Sequence, residues 1–349
     1  MNLAVRRASL IDDRKEILGL LNRNFVSGQE TRFEWRHLNH PAGPAWCWFV
    51  YDRDSKTTVA TASVFPRQMF VDGKLLLCGQ VGGFAVEVGY RSLGPAVLMQ
   101  RTTFEPVDSG ALALCYDTPP HDRGMSTFVR LGMQPNCEVI RFALPLRSDE
   151  YLQKRFGDAA WTKALVSTTN LLLRMKPRSR PAATVPGLEI DRFAERFDEE
   201  FDDLDRDLST ANIVRANRSA KDLNWSYRDN PCSQFQVLVA RHAGELMGYL
   251  ISVVYGDRVA ILDVFSRQLA RVGRALVEAL VEISCNQNRI LVEGSCSDAS
   301  ELKSIFLESG FQARERAARV VAYERPNGHA AKLLAPDMAW AFSGFDLFV

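Results

Sequence analysis

The chain carries one pattern twice. Phe33-Glu-Trp-Arg-His-Leu-Asn-His-Pro41 returns as Leu223-Asn-Trp-Ser-Tyr-Arg-Asp-Asn-Pro231, each with a Trp six residues ahead of a Pro and an Asn shortly before that Pro. A strand-like run of β-branched and aromatic residues follows each version, Trp46–Tyr51 in the first and Phe235–Ala240 in the second. Further on, Val86–Leu98 has a counterpart in Leu262–Leu276, and Phe128-Val-Arg-Leu-Gly-Met133 has one in Phe306-Leu-Glu-Ser-Gly-Phe311. Three matched landmarks in one order, at offsets near 180 to 190 residues, predict two tandem copies of a single α/β unit. A chain of 349 residues gives each copy enough material for its own core.

The expected division is a first unit over residues 1–148, a connecting helix and linker over 149–187, a second unit over 188–328 and a tail over 329–349. The Pro-rich run Lys176–Gly187 marks the linker, and the tail aromatics Trp340, Phe342, Phe345 and Phe348 suit docking on the body. A formal net charge of +1 leaves no basic surplus for nucleic acid or an anionic membrane. Seven cysteines show neither C-x-x-C nor metal-ligand spacing, and their odd number argues against a disulfide framework. A reducing, cytoplasmic compartment is therefore expected. The first residues lack the apolar stretch of a signal peptide, and no run reaches membrane-spanning length.

Within the first copy, Val81–Val88 is apolar and β-branched enough for a buried strand. Gly89 and Tyr90 break that run, and a helical pattern starts at Ala96 and carries Val97, Leu98 and Phe104. Pro95 fits the first helical turn, where its missing N–H would be unpaired in any case. Strand, glycine loop and helix N-terminus together aim several N–H groups and the positive end of a helix dipole at one spot, which suits a phosphate.

The order Val86-Glu-Val-Gly-Tyr-Arg-Ser-Leu-Gly-Pro-Ala96 resembles the acyl-CoA loop of the GNAT acyltransferase superfamily, Arg/Gln-x-x-Gly-x-Gly/Ala after a strand ending in Val-x-Val. Arg91, Gly94 and Ala96 meet that pattern. The resemblance implies an α/β chain of two tandem GNAT-like folds, each a central, mostly antiparallel sheet flanked by helices. It implies acetyl-CoA as cosubstrate, held at Val86, Val88, Arg91, Ser92, Leu93, Gly94, Pro95 and Ala96, with loop amides on the pyrophosphate and the strand edge on the pantetheine. It further implies that Ala111–Tyr116 forms a strand beside Val81–Val88, splayed from it to admit the pantetheine arm.

One position departs from the family. Many members carry a Tyr four residues before the closing Gly of the last helix, as acid toward the leaving thiolate. Here Phe128 stands there, and Phe306 in the second copy, so the role is vacant or moved. Tyr116 and His121 are the candidate catalytic residues, with Asp117 as the next alternative. A thiol pKa of ~8.5 makes thiolate a fair leaving group, so loss of the Tyr is survivable. Gln80 lies near the place of a catalytic Glu in some members and cannot serve as that base. His37, Asn39 and His40 are polar and near the expected acceptor mouth, where solvation is the ordinary fate of loop histidines.

The second loop keeps Gly273 and Ala275 but has Ala270 where the family has Arg or Gln, so this copy reads as degenerate, with Arg271 and Arg274 left as phosphate candidates. The expected partner is a small-molecule amine, with an amino sugar or its nucleotide-linked form first, because tandem GNAT proteins of bacterial surface-polysaccharide pathways share the Trp-to-Pro landmark. Two alternatives stand beside N-acetyl transfer: an aminoacyl or peptidoglycan-type transferase of tandem GNAT fold, and a non-catalytic CoA-binding scaffold. Neither nucleic-acid binding nor membrane insertion is expected, and assembly into oligomers is left open.

Overall fold

Runs of β-branched and aromatic residues generate most of the strands, and the two halves follow a similar order of elements. The computed structural model describes residues 2–25, 29–91, 93–119, 122–157, 159–175, 185–209, 212–325 and 338–347. The first half runs β1 (Leu3–Arg7), α1 (Arg14–Asn24), α2 (Gln29–Phe33), β2 (Trp46–Asp52), β3 (Thr57–Val71) and β4 (Lys74–Val86). It continues with α3 (Leu93–Thr102), α4 (Glu105–Asp108), β5 (Leu114–Asp117), α5 (Asp122–Arg130) and β6 (Cys137–Pro145). Two helices, α6 (Asp149–Phe156) and α7 (Ala160–Met175), lead away from it. The sequence predicts one helix here, but Gly157 adopts a φ of 71° and caps α6, which ends the first of two.

The second half runs β7 (Leu188–Phe193), α8 (Glu199–Asp207), β8 (Ile213–Ala216), α9 (Ala220–Leu223), β9 (Phe235–His242), β10 (Glu245–Tyr255) and β11 (Arg258–Ser266). Then come α10 (Arg274–Asn286), β12 (Leu291–Ser297), α11 (Leu302–Glu308) and β13 (Gln312–Glu324). The chain closes with β14 (Ala339–Trp340) and α12 (Gly344–Leu347).

Among the described residues the strands join one sheet in the order β1-β2-β3-β4-β5-β13-β6-β12-β11-β10-β9-β7, with β8 on β3 and β14 on β8. The middle of that order is an exchange. β13, from the second half, pairs antiparallel with β5, while β6, from the first, pairs antiparallel with β12. Each half thus lends a late strand to the other, β13 beside β5 and β6 beside β12. Phe142, Leu144 and Leu146 of the first half complete the core of the second, and Val321 completes that of the first.

The repeated Trp landmark lies on the seam. Each copy forms one turn of π-helix, Glu34–Leu38 and Asn224–Arg228. The Trp35 and Trp225 rings stack with centroids 4.4 Å apart. Trp35 Nε1 donates to the Trp225 carbonyl at 2.8 Å, and Trp225 Nε1 donates to the Trp35 carbonyl at 3.1 Å. The contact is reciprocal, each indole donating to the carbonyl of the other Trp.

Candidate active site

The site begins with a bulge. β3 and β4 form one long hairpin whose turn, Asp72-Gly73, has φ of 52° and 73°, as a tight two-residue hairpin loop requires. The strand expected over Val81–Val88 begins seven residues earlier, as part of β4, and ends at Val86. The break lies within it: Thr61 faces Ala85, but Ser63 faces Gly82, so β4 holds one residue more than β3 between these pairs. Gly83 sits in this bulge with a φ of +58°, which a side chain would strain. Gly-Gly inside a strand pattern is the signal for such a bulge.

A bulge increases local twist and turns a strand away from its neighbour. β4 and β5 accordingly pair in parallel at Gly79–Cys115 and Gln80–Tyr116 and nowhere else, and beyond the bulge β4 continues to Val86 without β5 beside it. This opening leaves backbone N–H and C=O groups of β4 free for an extended, amide-containing ligand. The expected splay is present, and its cause is the bulge.

The glycine loop closes the end of the opening. A single 3₁₀ turn covers Val88–Tyr90, and α3 starts at Leu93, three residues earlier than the sequence pattern predicts. Arg23 binds Glu87, Tyr90 donates to Asp52 at 3.1 Å, and Arg91 reaches the Val86 carbonyl at 3.1 Å and Asn24 at 2.9 Å. The Arg91 side chain therefore braces the loop, leaving its backbone to face a ligand. Space for that ligand exists at Gly94: a Cβ built there would meet nothing within 4 Å. Pro95 is buried, Val86 and Ala96 are half-buried, and Val88 stands out into solvent. Ser92 lies outside the described residues, and only the backbone of Leu93 falls within them. A cradle of this shape suits a diphosphate at the helix N-terminus.

Of the two expected catalytic residues, His121 lies outside the described residues. Tyr116 is fully buried, and burial pushes its phenol up to about 12. Its hydroxyl accepts from Arg67 at 3.2 Å and lies 3.1 Å from Gln80 Oε1 and 3.3 Å from the Asp346 carbonyl. With its capacity filled, Tyr116 acts here as a brace rather than a proton donor. The next residue, Asp117, ends β5 at the rim of the opening and faces the side of the sheet shared by Cys115 and Val321, where Phe128 also packs. Burial lifts the Asp117 carboxyl to about 7, against a backbone N–H bond from Thr118 that pulls it down. A carboxyl that titrates near neutrality can hold a proton and release it.

The loop histidines are not solvated, contrary to expectation. His37 and His40 are buried, and burial, with nearby cations adding to it, pushes both down to about 3. Neutral rings of this kind pack: His37 stacks on Phe33 and His40 leans on Trp225. Asn39 ends the first π-turn, with its N–H bonded back to the Glu34 carbonyl, and its side chain is exposed.

Sequence reasoning passed over the buried charges, among them Arg67 and Arg218, and the half-buried Arg36. Arg67 interrupts the apolar run of β3 and holds the C-terminal segment through the Phe345 and Asp346 carbonyls. Arg218 pairs with both Asp263 and Asp346 at the seam. Arg36 stands beside Trp35 in the landmark itself and places its guanidinium 4.2 Å from the Phe65 ring centroid. Arg67 is signalled by its place in an apolar stretch, whereas Arg36 and Arg218 lie among polar neighbours that give no such signal.

The second half has an opening of the same kind, and the chain fills it. β11 and β12 pair in parallel from Arg258–Leu291 to Ile261–Gly294 and then separate. Ser343 bridges to Cys296, the Ser297 N–H donates to the Phe342 carbonyl at 2.9 Å, and Gly344 sits where a Cβ would lie 2.9 Å from the Leu262 carbonyl oxygen. The expected docking is thus, for the described part of the tail, residues 338–347, an insertion into the second slot; Phe348 lies outside the described residues. Gly273, retained in the second loop, packs against Leu269, whose Cδ1 would be 2.7 Å from a Cβ there, whereas the space at Gly94 is open. Arg274 is tied to Glu278 and Glu308, and Arg271 is exposed.

Neither protein-family models nor curated protein sequences match the chain. Solved structures do. A conserved protein of unknown function from Enterococcus faecalis superposes with a TM-score of 0.63 at 13% identity, over 92% of this chain and 72% of that one. A GCN5-related N-acetyltransferase from Anabaena variabilis gives 0.62 at 11% identity, over 92% and 72%. N-myristoyltransferase from Saccharomyces cerevisiae, solved with bound myristoyl-CoA, gives 0.56 at 13% identity, over 92% and 82%. The chain therefore has the GNAT fold, the fold of acyl-CoA-dependent N-acyltransferases. Among the described residues no helix is long and apolar enough to cross a membrane.

Proposed function

We propose that the protein transfers an acyl group, acetyl first, from acyl-CoA bound in the first half to the amine of a small molecule in the cytoplasm. The observation that carries this is the coincidence of the β4–β5 splay with an open cradle at Gly94. In this reading the β4 edge pairs with the pantetheine amides, and the amides at the start of α3 face the diphosphate. The reacting carbonyl then lies beside the bulge, where a backbone N–H polarises it. The nitrogen of the neutral amine attacks the thioester carbon, the C–S bond breaks, the thiolate leaves with a proton from Asp117, and the proton that the nitrogen sheds as the amide forms passes, directly or through water, to the Asp117 carboxylate and restores the acid. Holding both reactants in one cleft supplies much of the acceleration. The matched halves support a duplicated unit in which only the first copy retains the cofactor slot. An amino sugar, or its nucleotide-linked form, is the acceptor class that the sequence favours.

Thiol release measured across amine acceptors tests the activity; acyl-CoA binding without turnover on any amine would favour a scaffold instead. The proton assignment has its own test. Asp117→Asn is expected to lower kcat by about 10- to 100-fold and to remove a descending limb of the kcat–pH profile near pH 7. The sign follows from the raised carboxyl: below about 7 Asp117 holds its proton and can donate it, and above it cannot. An unchanged limb in the variant would remove Asp117 from the mechanism.

A further inference from the structure

Among the described residues Arg36 is a guanidinium without a counter-ion. Its Nε is sealed from solvent and has no hydrogen-bond partner, and among the described residues it forms no ion pair. Burial pushes it down to about 9, and Arg32 adds to the effect. The seat is nevertheless built. The guanidinium lies on the Phe65 ring, and Gly82 makes room for it, since a Cβ there would come within 2.8 Å of an Arg36 terminal nitrogen. Gly82 belongs to the β4 bulge, so the charge sits beside the place where the acyl carbonyl is proposed to lie.

The surroundings reinforce the sign. Lys221 of the second half reaches across the seam to the Pro41 carbonyl at 3.0 Å, and the Arg32 Nε lies 3.1 Å from Cys232 Sγ. Neither forms an ion pair among the described residues; Arg32 adds its positive field at Arg36, and Lys221, Arg67 and Arg36 add theirs at His40. A partly buried, unpaired cation is costly unless a ligand neutralises it.

We infer that the acceptor is an anionic amine, whose carboxylate or phosphate is held by Arg36 against Gly82 while its amine reaches the bulge. This rests on the acyl-transfer reading and narrows it: a nucleotide-linked or phosphorylated amino sugar, or an amino acid, fits, and an uncharged amino sugar does not. Guanidinium is suited to either anion because its N–H fork matches two oxygens at once.

The test compares paired probes that differ only in charge: alanine against alaninamide, and glucosamine 6-phosphate against glucosamine. Calorimetric binding to the full chain, with and without acetyl-CoA, reads affinity directly. The expected result is binding of at least one anionic member and about 10- to 100-fold weaker binding of its neutral partner, with that preference lost in Arg36→Met. Which pair discriminates identifies carboxylate or phosphate. Equal binding within both pairs, or no binding of either anionic probe at millimolar concentration, overturns the inference. A second readout needs neither acceptor nor cosubstrate. Arg36→Met keeps the packing on Phe65 and removes the unpaired charge, so the free variant is expected to melt above wild type, and a lower midpoint would contradict it. Loss of acetyl-CoA binding by wild type would instead strike at the acyl-transfer reading, so the two failures are distinguishable.

Discussion

Asp346→Ala is expected to lower stability by about 3–5 kcal/mol, the range for stripping one partner from a buried ion pair. The side chain is fully buried and receives Arg218 at 3.1 Å, the Ser343 N–H at 2.8 Å and the Ala216 N–H at 3.1 Å. Truncation would leave a buried guanidinium shared with Asp263 alone and two backbone donors unpaired. It would also loosen the segment that fills the second slot, because Ser343 and α12 are fixed through the same carboxylate. Denaturant unfolding of wild type and variant reads the difference. The pH dependence has a defined sign. Burial by itself would raise the Asp346 carboxyl, but Arg218, Arg67 and the two backbone donors outweigh it and hold the group below its ordinary value of 3.8. Its contribution is therefore complete above that value and fades as the pH falls through the lowered one, so near neutrality the loss in Asp346→Ala should not vary with pH. A loss under 1 kcal/mol would mean that the segment is held by its aromatics alone.

Gly94→Trp is expected to weaken acyl-CoA binding by about 100-fold or more while leaving the melting temperature close to that of wild type. The cradle is open at this position, so the indole meets no protein atom at its Cβ, yet it occupies the volume through which a diphosphate would approach the α3 amides. In the proposed reading backbone amides hold the anion, so no side-chain truncation would remove them; a bulky substitution is the direct way to block them. Isothermal calorimetry gives the affinity and a thermal melt gives the control. The matching change in the second loop differs in kind. Gly273 is packed against Leu269, so a side chain there disturbs the fold rather than a ligand. Unaltered affinity in Gly94→Trp would mean that the diphosphate lies elsewhere.

How much of this was written in the residues differs from element to element. The landmark Trp35 and Trp225, the loop Val86–Ala96 and the Asp72-Gly73 turn are local signals, and local signals survive into the structure because the physics behind them spans only a few residues. The exchange of β6 and β13 was not legible: the alternation in Cys137–Pro145 and Gln312–Glu324 specifies a strand, whereas the choice of neighbour depends on the whole sheet. The bulge was legible in principle from Gly82-Gly83, which the eye passes over inside an apolar run. Tyr116 looked available for chemistry because a Tyr at the carboxyl end of a strand usually meets solvent; Arg67 and Asp346, remote in sequence, enclose it. Asp117, its neighbour, points to the other face, and its titration is set by burial, which raises it, against the Thr118 N–H bond, which lowers it. Buried charge is the feature that sequence conveys least, since partners such as Arg218 and Asp346 lie 128 residues apart.

The central claim is that one half holds the cosubstrate and the chain itself fills the other slot. The number of acetyl-CoA molecules bound per chain, measured by calorimetry on the full-length protein, tests it most directly. One site per chain is the expected result. Two sites would show that residues 342–346 yield to a ligand between β11 and β12, and no binding would contradict acyl transfer from CoA altogether.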